Sequence, residues 1–127
     1  MIYTSYRSNI KNIPINENVK IVTVYRSGRV PNRDDIVILR DLGPTLYLRG
    51  RYKKNKDWSY YEKEYMYQLY NNTFTKIQML RLIDIVKRYD VILICCEEDS
   101  QYCHRRLLAD ELQYITDIKY YGEWKAD

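Results

Sequence analysis

Residues 91–112, Val91-Ile-Leu-Ile-Cys-Cys-Glu-Glu-Asp-Ser-Gln-Tyr-Cys-His-Arg-Arg-Leu-Leu-Ala-Asp-Glu-Leu112, decide how the rest of the chain is read. Apolar residues and two cysteines run unbroken from Val91 to Cys96, the length and composition of a strand buried on both faces, as in a parallel sheet. A short acidic and polar segment, Glu97 to Tyr102, separates it from a helix that opens on Cys103-His104-Arg105. The only histidine and all three cysteines fall within this one strand-to-helix turn. In open α/β sheets ligands bind beyond the carboxyl ends of the strands, and a helix N-terminus offers free N–H groups to an anion. The turn is therefore the expected working site.

Outward from that turn, the chain reads as half of a doubly wound unit. Met1 to Tyr6 is rich in β-branched and aromatic residues and predicts a first strand. Residues 7–18, with Pro14 and four asparagines, predict a loop with at most one helical turn. Lys20 to Tyr25 is a second strand that ends at Arg26-Ser27-Gly28. Ile36 to Leu39 fits a short strand or one turn of helix. From Asp57 to Tyr70 the apolar spacing is helical with Asp57 as N-cap. A second helix, capped by Thr73 or Thr75, runs to about Arg88 and delivers the chain to Val91. Asp117 to Tyr121 reads as a last short strand, with a frayed tail from Gly122. The expectation is one α/β domain over residues 1–127, Rossmann-like, with a mostly parallel sheet flanked by helices.

Composition narrows the setting. A formal charge of +4 and pI near 8.9 make an anionic partner plausible without defining a dedicated nucleic-acid binder. Adjacent Cys95 and Cys96 in a core strand do not form a secreted disulfide framework. No signal peptide and no apolar stretch of about 18 residues is read. A reduced, cytoplasmic protein with no membrane partner is expected. Fifteen tyrosines against one phenylalanine, with many Ile, Lys and Asn, suggest an AT-rich coding sequence of bacterial or phage origin.

Each chemistry-bearing residue has a functional and a structural reading. His104 shares a helix face with Leu108, Leu112 and Ile115, so it is either a hydrogen-bonded core residue or a catalytic group in the first turn. Cys103, beside Arg105 and Arg106 at a helix start, is either a reactive thiolate or a buried inert thiol. Cys95 and Cys96 are expected to be small hydrophobes of the core. Glu97 is an acid/base or ribose-binding carboxylate, or a charge that supports the following helix. Arg105 opposes the helix dipole, which implies a compensating anion, either Glu97 or a bound phosphate. Structural zinc sites use close cysteine pairs and four ligands, and neither is visible here, so no metal and no cofactor is expected. Between Thr45 and Lys56 the cations Arg49, Arg51, Lys53, Lys54 and Lys56 interleave with Tyr47 and Tyr52, a pattern that suits nucleic-acid contact and equally a solvated face.

The pattern Cys95-x-Glu97, then Cys103-His104-Arg105 and Leu107-x-Ala109, resembles the signature of the bacterial family known as domain of unknown function 488. Tyr3-Thr4-Ser5-Tyr6, Arg26, Leu42-x-Pro44 and the Tyr60–Tyr70 helix resemble the same family, so the likeness spans nearly the whole chain. Cys96 stands where a small or aromatic residue is usual, and Ser100 where proline or glycine is common. The resemblance implies a compact Rossmann-like domain and carries no settled activity. The function expected is a small enzyme acting on a nucleotide or nucleic-acid component. Glu97, Cys103 and His104 would be its catalytic groups, with Ser5, Tyr6, Arg26, Ser27 and Arg105 around the ligand. The rival expectations are a non-catalytic module that binds or sequesters the same ligand, and a purely structural turn whose protein works through an interface.

Overall fold

The computed structural model describes residues 1–96 and 102–126. Its centre is a five-stranded, all-parallel sheet of β1 (Ile2–Tyr6), β2 (Val19–Thr23), β3 (Ile36–Ile38), β4 (Asp90–Cys95) and β5 (Tyr120–Glu123), in the order β3-β2-β4-β1-β5. The run from Val91 to Cys95 is buried residue after residue because β4 is the middle strand, hydrogen-bonded to β1 on one side and β2 on the other. Ile36 to Ile38 is strand rather than helix, paired with Ile21 to Thr23.

The two faces of the sheet are covered differently. Helices α1 (Leu46–Asn55), α2 (Trp58–Asn71), α3 (Thr73–Arg88) and α4 (His104–Thr116) all feed one core with Ile2, Val22, Val24, Val91 and Leu93. The opposite face, Ile21, Ile92 and Ile94, is covered by Ile10 and Ile13 from a 3-10 helix at Arg7–Asn12 and its exit, together with Tyr25 and Trp124. Alternate residues of one strand supply the two cores, as the pleat requires. Among the described residues no helix is long and apolar enough to cross a membrane.

Several local expectations shift. Asp57 caps α2, its carboxylate accepting from the Tyr60 N–H at 3.1 Å. The cap of α3 is Asn72 rather than Thr73 or Thr75, because its amide oxygen reaches the Thr75 N–H at 3.1 Å. Thr75 instead lies inside the helix and donates to the Asp41 carbonyl at 2.7 Å. The last strand begins three residues later than Asp117, since Asp117 takes a left-handed conformation that closes α4. Gly122 and Glu123 belong to that strand, and the Trp124 N–H donates to the Thr4 carbonyl at 2.8 Å, so the segment is docked rather than frayed.

Polar residues of α2 and α3 hold the segment Asp41-Leu42-Gly43-Pro44-Thr45 in place. Tyr65 donates to the Leu42 carbonyl at 2.6 Å, Gln68 Nε2 to the Gly43 carbonyl at 2.8 Å, and Gln68 Oε1 accepts from the Thr45 N–H at 3.0 Å. Gln68→Leu removes these two Gln68 bonds together with the one from Nε2 to Thr75 Oγ1, and leaves buried backbone groups unpaired, which costs about 1–3 kcal/mol. Urea denaturation of the variant is expected to show a lower midpoint with an unchanged slope; a midpoint equal to wild type would mean that the segment is held by other contacts.

Candidate functional site

β2 and β4 are neighbours whose exits diverge. The chain leaves β2 toward β3 on one side and leaves β4 toward β5 on the other, so the gap between their carboxyl ends is the topological switch point of the sheet. A small cleft of about 70 Å³ lies there, lined by Tyr25, Arg26, Ser27, Pro44, Arg49, Cys95, Cys96 and His104. The fold thus joins three separate parts of the sequence: the exit of β2, the first turns of α1, and the β4–α4 turn.

His104 is buried against Tyr65, whose ring meets it edge-on at 5.5 Å between centroids. Its Nε2 lies 2.5 Å from the Val24 carbonyl oxygen. A carbonyl only accepts, so Nε2 carries the proton and Nδ1 keeps a lone pair, which faces Cys103 Sγ at 3.9 Å. Burial lowers its pKa to about 4, aided by the nearby Arg105, Arg49 and Arg26 and opposed by the Val24 hydrogen bond, so the ring is neutral at physiological pH. His104 is thus a hydrogen-bonded core residue that also lines the cleft.

The cysteines are arranged differently from expectation. Cys95 and Cys103 are both buried and joined sulfur to sulfur as a disulfide, with Cα atoms 7.8 Å apart. Cys95 is the small buried core residue that its strand predicts, and the contact of its sulfur with Cys103 is what the sequence does not foretell. Cys103 is the N-cap of α4, and its extended backbone swings its side chain toward the end of β4. Cys96 lies one residue past the strand and is exposed, not shielded, its thiol donating to the Ser27 carbonyl at 3.8 Å.

Arg105 is wholly buried. Nη2 reaches Glu123 Oε1 at 2.6 Å, Nε reaches Glu123 Oε2 at 3.3 Å, and Nη1 donates to Cys95 Sγ at 3.0 Å. Glu123 thus supplies an anion that opposes the guanidinium in the first helical turn, and the same carboxylate also accepts from Thr4 Oγ1. Nothing in the sequence pairs residue 123 with residue 105; only the parallel pairing of β5 with β1 brings them together. Arg105 is not among the residues lining the cleft.

The remaining expected residues are placed as follows. Arg26 lines the cleft but spends Nε on the Gly43 and Pro44 carbonyls, at 3.1 and 2.9 Å, and Nη1 on Asp41 at 3.0 Å. Gly43 is required by this approach, since a Cβ there would stand 2.9 Å from the Arg26 backbone nitrogen. Ser27 is exposed on the rim, where Arg49 Nη1 donates to its hydroxyl at 3.2 Å. Ser5 is buried and accepts from Asn9 at 2.9 Å, and neither it nor Tyr6 lines the cleft. Glu97 lies outside the described residues. The basic run is helical, with Arg49, Arg51, Lys53, Lys54 and Lys56 all exposed. Of these five, Arg49 alone lines the cleft, whereas Arg51 stacks over Tyr60 and bonds the Tyr47 hydroxyl at 2.9 Å.

This geometry changes what is expected of Arg105→Ala. Removing the guanidinium leaves Glu123 facing a buried void, and losing one partner of a buried pair costs about 3–5 kcal/mol, toward the lower end here because the Glu123 side chain keeps 29% exposure. Thermal unfolding should fall by many degrees. An unchanged unfolding temperature would show that the pair contributes nothing to the fold.

Comparison with known proteins gives one family. The model of the family DUF488-N3a, described as the active DUF488-N3 subclade, matches residues 4–116. No curated protein and no solved structure matches the chain. The matched span runs from within β1 to the end of α4 and takes in every described residue that lines the cleft, and on that basis the chain belongs to the DUF488 family.

Proposed function

We propose that the protein is a small enzyme acting on a nucleotide or other phosphate-bearing component of nucleic acid, with the phosphoryl group seated in the cleft between the ends of β2 and β4. The observation that carries this reading is the lining itself. Arg26, Arg49, Cys95, Cys96 and neutral His104 line one cleft, at the place where α/β sheets bind ligands. Cations in the lining suit an anion, and the sulfur and imidazole groups beside them supply reactive or ligating atoms.

The size of the cleft limits what enters it. A space of about 70 Å³ suits a group of phosphoryl size, well short of the roughly 300 Å³ at which pockets begin to enclose whole small molecules. Sugar and base would lie outside the cleft, beside Arg49 in the first turns of α1. Arg49 is suited to serve both parts, since it is exposed and among the described residues its one side-chain hydrogen bond is to an exposed serine.

Titration with inorganic phosphate and with nucleoside mono-, di- and triphosphates tests the reading, together with mass spectrometry of the mixtures for turnover. Arg49→Ala is expected to weaken binding about tenfold or more, the loss of a charge-assisted hydrogen bond, with little change in unfolding temperature. Lys53→Glu with Lys54→Glu should leave mononucleotide binding intact. If α1 also tracks a strand, the same pair weakens polymer binding and flattens its salt dependence. Absence of binding by every phosphate compound at low salt would overturn the proposal.

A further inference from the structure

The sulfur atoms of Cys95 and Cys103 and a ring nitrogen of His104 all lie within 4.8 Å of one another, and all three residues are buried. We propose that in the reduced protein these three side chains hold a single zinc ion, in a site with an open fourth position toward the cleft. The inference deepens the reading of the cleft as the working site, by assigning its floor to a resident metal.

Four observations support it. First, ligand atoms around tetrahedral zinc stand about 3.5–3.8 Å apart, given Zn–S near 2.3 Å and Zn–N near 2.0–2.1 Å. The 3.9 Å between Cys103 Sγ and His104 Nδ1 is within about 0.4 Å of that spacing, a shift that small side-chain rotations supply. Second, the Cα atoms of Cys95 and Cys103 are 7.8 Å apart, beyond the roughly 4.4–6.8 Å that a disulfide spans, so the backbone suits two sulfurs on opposite sides of an ion better than two sulfurs bonded to each other.

Third, His104 is prepared as a ligand. Its Nε2–H is committed to the Val24 carbonyl, which fixes the ring and leaves the Nδ1 lone pair directed at the sulfurs; metal-binding histidines are oriented in this way by an outer hydrogen bond. Fourth, the charges balance. Two thiolates neutralise a divalent ion, Arg105 donates to Cys95 Sγ as outer partners do to metal-bound sulfur, and Arg105 is itself offset by Glu123. A donor set of two thiolates and one imidazole selects zinc over magnesium or calcium. With three protein ligands among the described residues the site is of the kind that keeps a position for water or substrate. Because both Cys95 and His104 line the cleft, that position faces Arg26 and Arg49. Zinc there would act as a Lewis acid on an anion held by the two arginines.

The sequence hides this site because its ligands do not fall in a close pair. Cys103 and His104 are neighbours that would normally splay apart, and Cys95 lies eight residues earlier. Cys103 joins them only because it is the extended N-cap and not a helical residue. Cys96, the nearer cysteine by sequence to the following loop, is turned out to the surface.

The test uses the full chain purified under reducing conditions. Elemental analysis should find one zinc per protein, and replacement by cobalt(II) should give the intense near-ultraviolet sulfur-to-cobalt absorption together with visible bands of a tetrahedral ion. Brief alkylation with iodoacetamide should label Cys96 while zinc protects Cys95 and Cys103, and chelation should expose both. Cys95→Ser or Cys103→Ser should weaken zinc binding by more than the about 10–100-fold that follows loss of an outer partner, whereas Cys96→Ser should leave it unchanged. Should those variants fail to fold, the cobalt spectrum and protection pattern of the wild type decide alone. A reduced wild-type protein that takes up neither zinc nor cobalt overturns the proposal, as does uptake that follows Cys96. Zinc content is read without any phosphate ligand, so a protein that binds zinc yet ignores every nucleotide keeps this site and loses the substrate reading.

Discussion

A fully buried guanidinium has to be satisfied by the protein around it, and Arg105 sets that demand at the most sensitive point of the fold. It sits in the first turn of α4, where the helix dipole disfavours a cation. Its forked donors reach Glu123 in β5 and the sulfur of Cys95 at the end of β4. One side chain thereby ties the edge strand, the central strand and the helix that follows it. The bidentate approach to the carboxylate suits arginine and would not suit lysine, which lacks the planar fork. Without the pair, β5 would keep its ladder to β1, but Glu123 and Thr4 would lose the cation that draws them inward.

A second, more distributed constraint shapes the other wall of the cleft. Residues Asp41 to Thr45 have little regular structure, so their backbone groups must find partners elsewhere. They find them in side chains: Tyr65 and Gln68 from α2, Thr75 and Gln78 from α3, and Arg26 from the exit of β2. Gln68 also accepts from Thr45, the residue that caps α1. The position of Arg49 on the rim is thus set by a chain of contacts running from α2 through Thr45 into the first turns of α1. Aromatic packing reinforces it, with Tyr52, Trp58, Tyr61 and Tyr65 in successive ring contacts between α1 and α2.

Much of the fold was readable from local pattern. The unbroken apolar run of β4 announces a strand covered on both faces, and a parallel sheet is the architecture that covers both. Asp57 marks the start of α2 by its own hydrogen-bonding chemistry. The cap of α3 was harder, since Asn72, Thr73 and Thr75 are all competent and only the finished backbone shows which oxygen meets an N–H. The last strand was misplaced for a comparable reason: strand propensity from Ile118 to Tyr121 is continuous, but the left-handed turn at Asp117 and the ladder to β1 determine where pairing begins. The helical state of the run from Leu46 to Asn55 also escaped notice, because its polar and apolar residues follow no clear helical stripe and the helix is secured by Thr45 and by its neighbours.

The sequence by itself determined the central strand, the turn after it, the concentration of Cys, His and Arg at that turn, and the family to which the chain belongs, because strand burial and a contiguous motif are properties of neighbouring residues. Tertiary structure decided which of those residues share a site. It turned Cys96 outward and Cys95 inward by ending β4 between them, brought Arg26 and Arg49 to the same cleft as His104, and gave Arg105 a carboxylate from the far end of the chain. These outcomes depend on strand order. Which residues meet at the carboxyl edge of a parallel sheet is set by which strands lie side by side, and adjacent strands here come from distant segments that no local pattern connects.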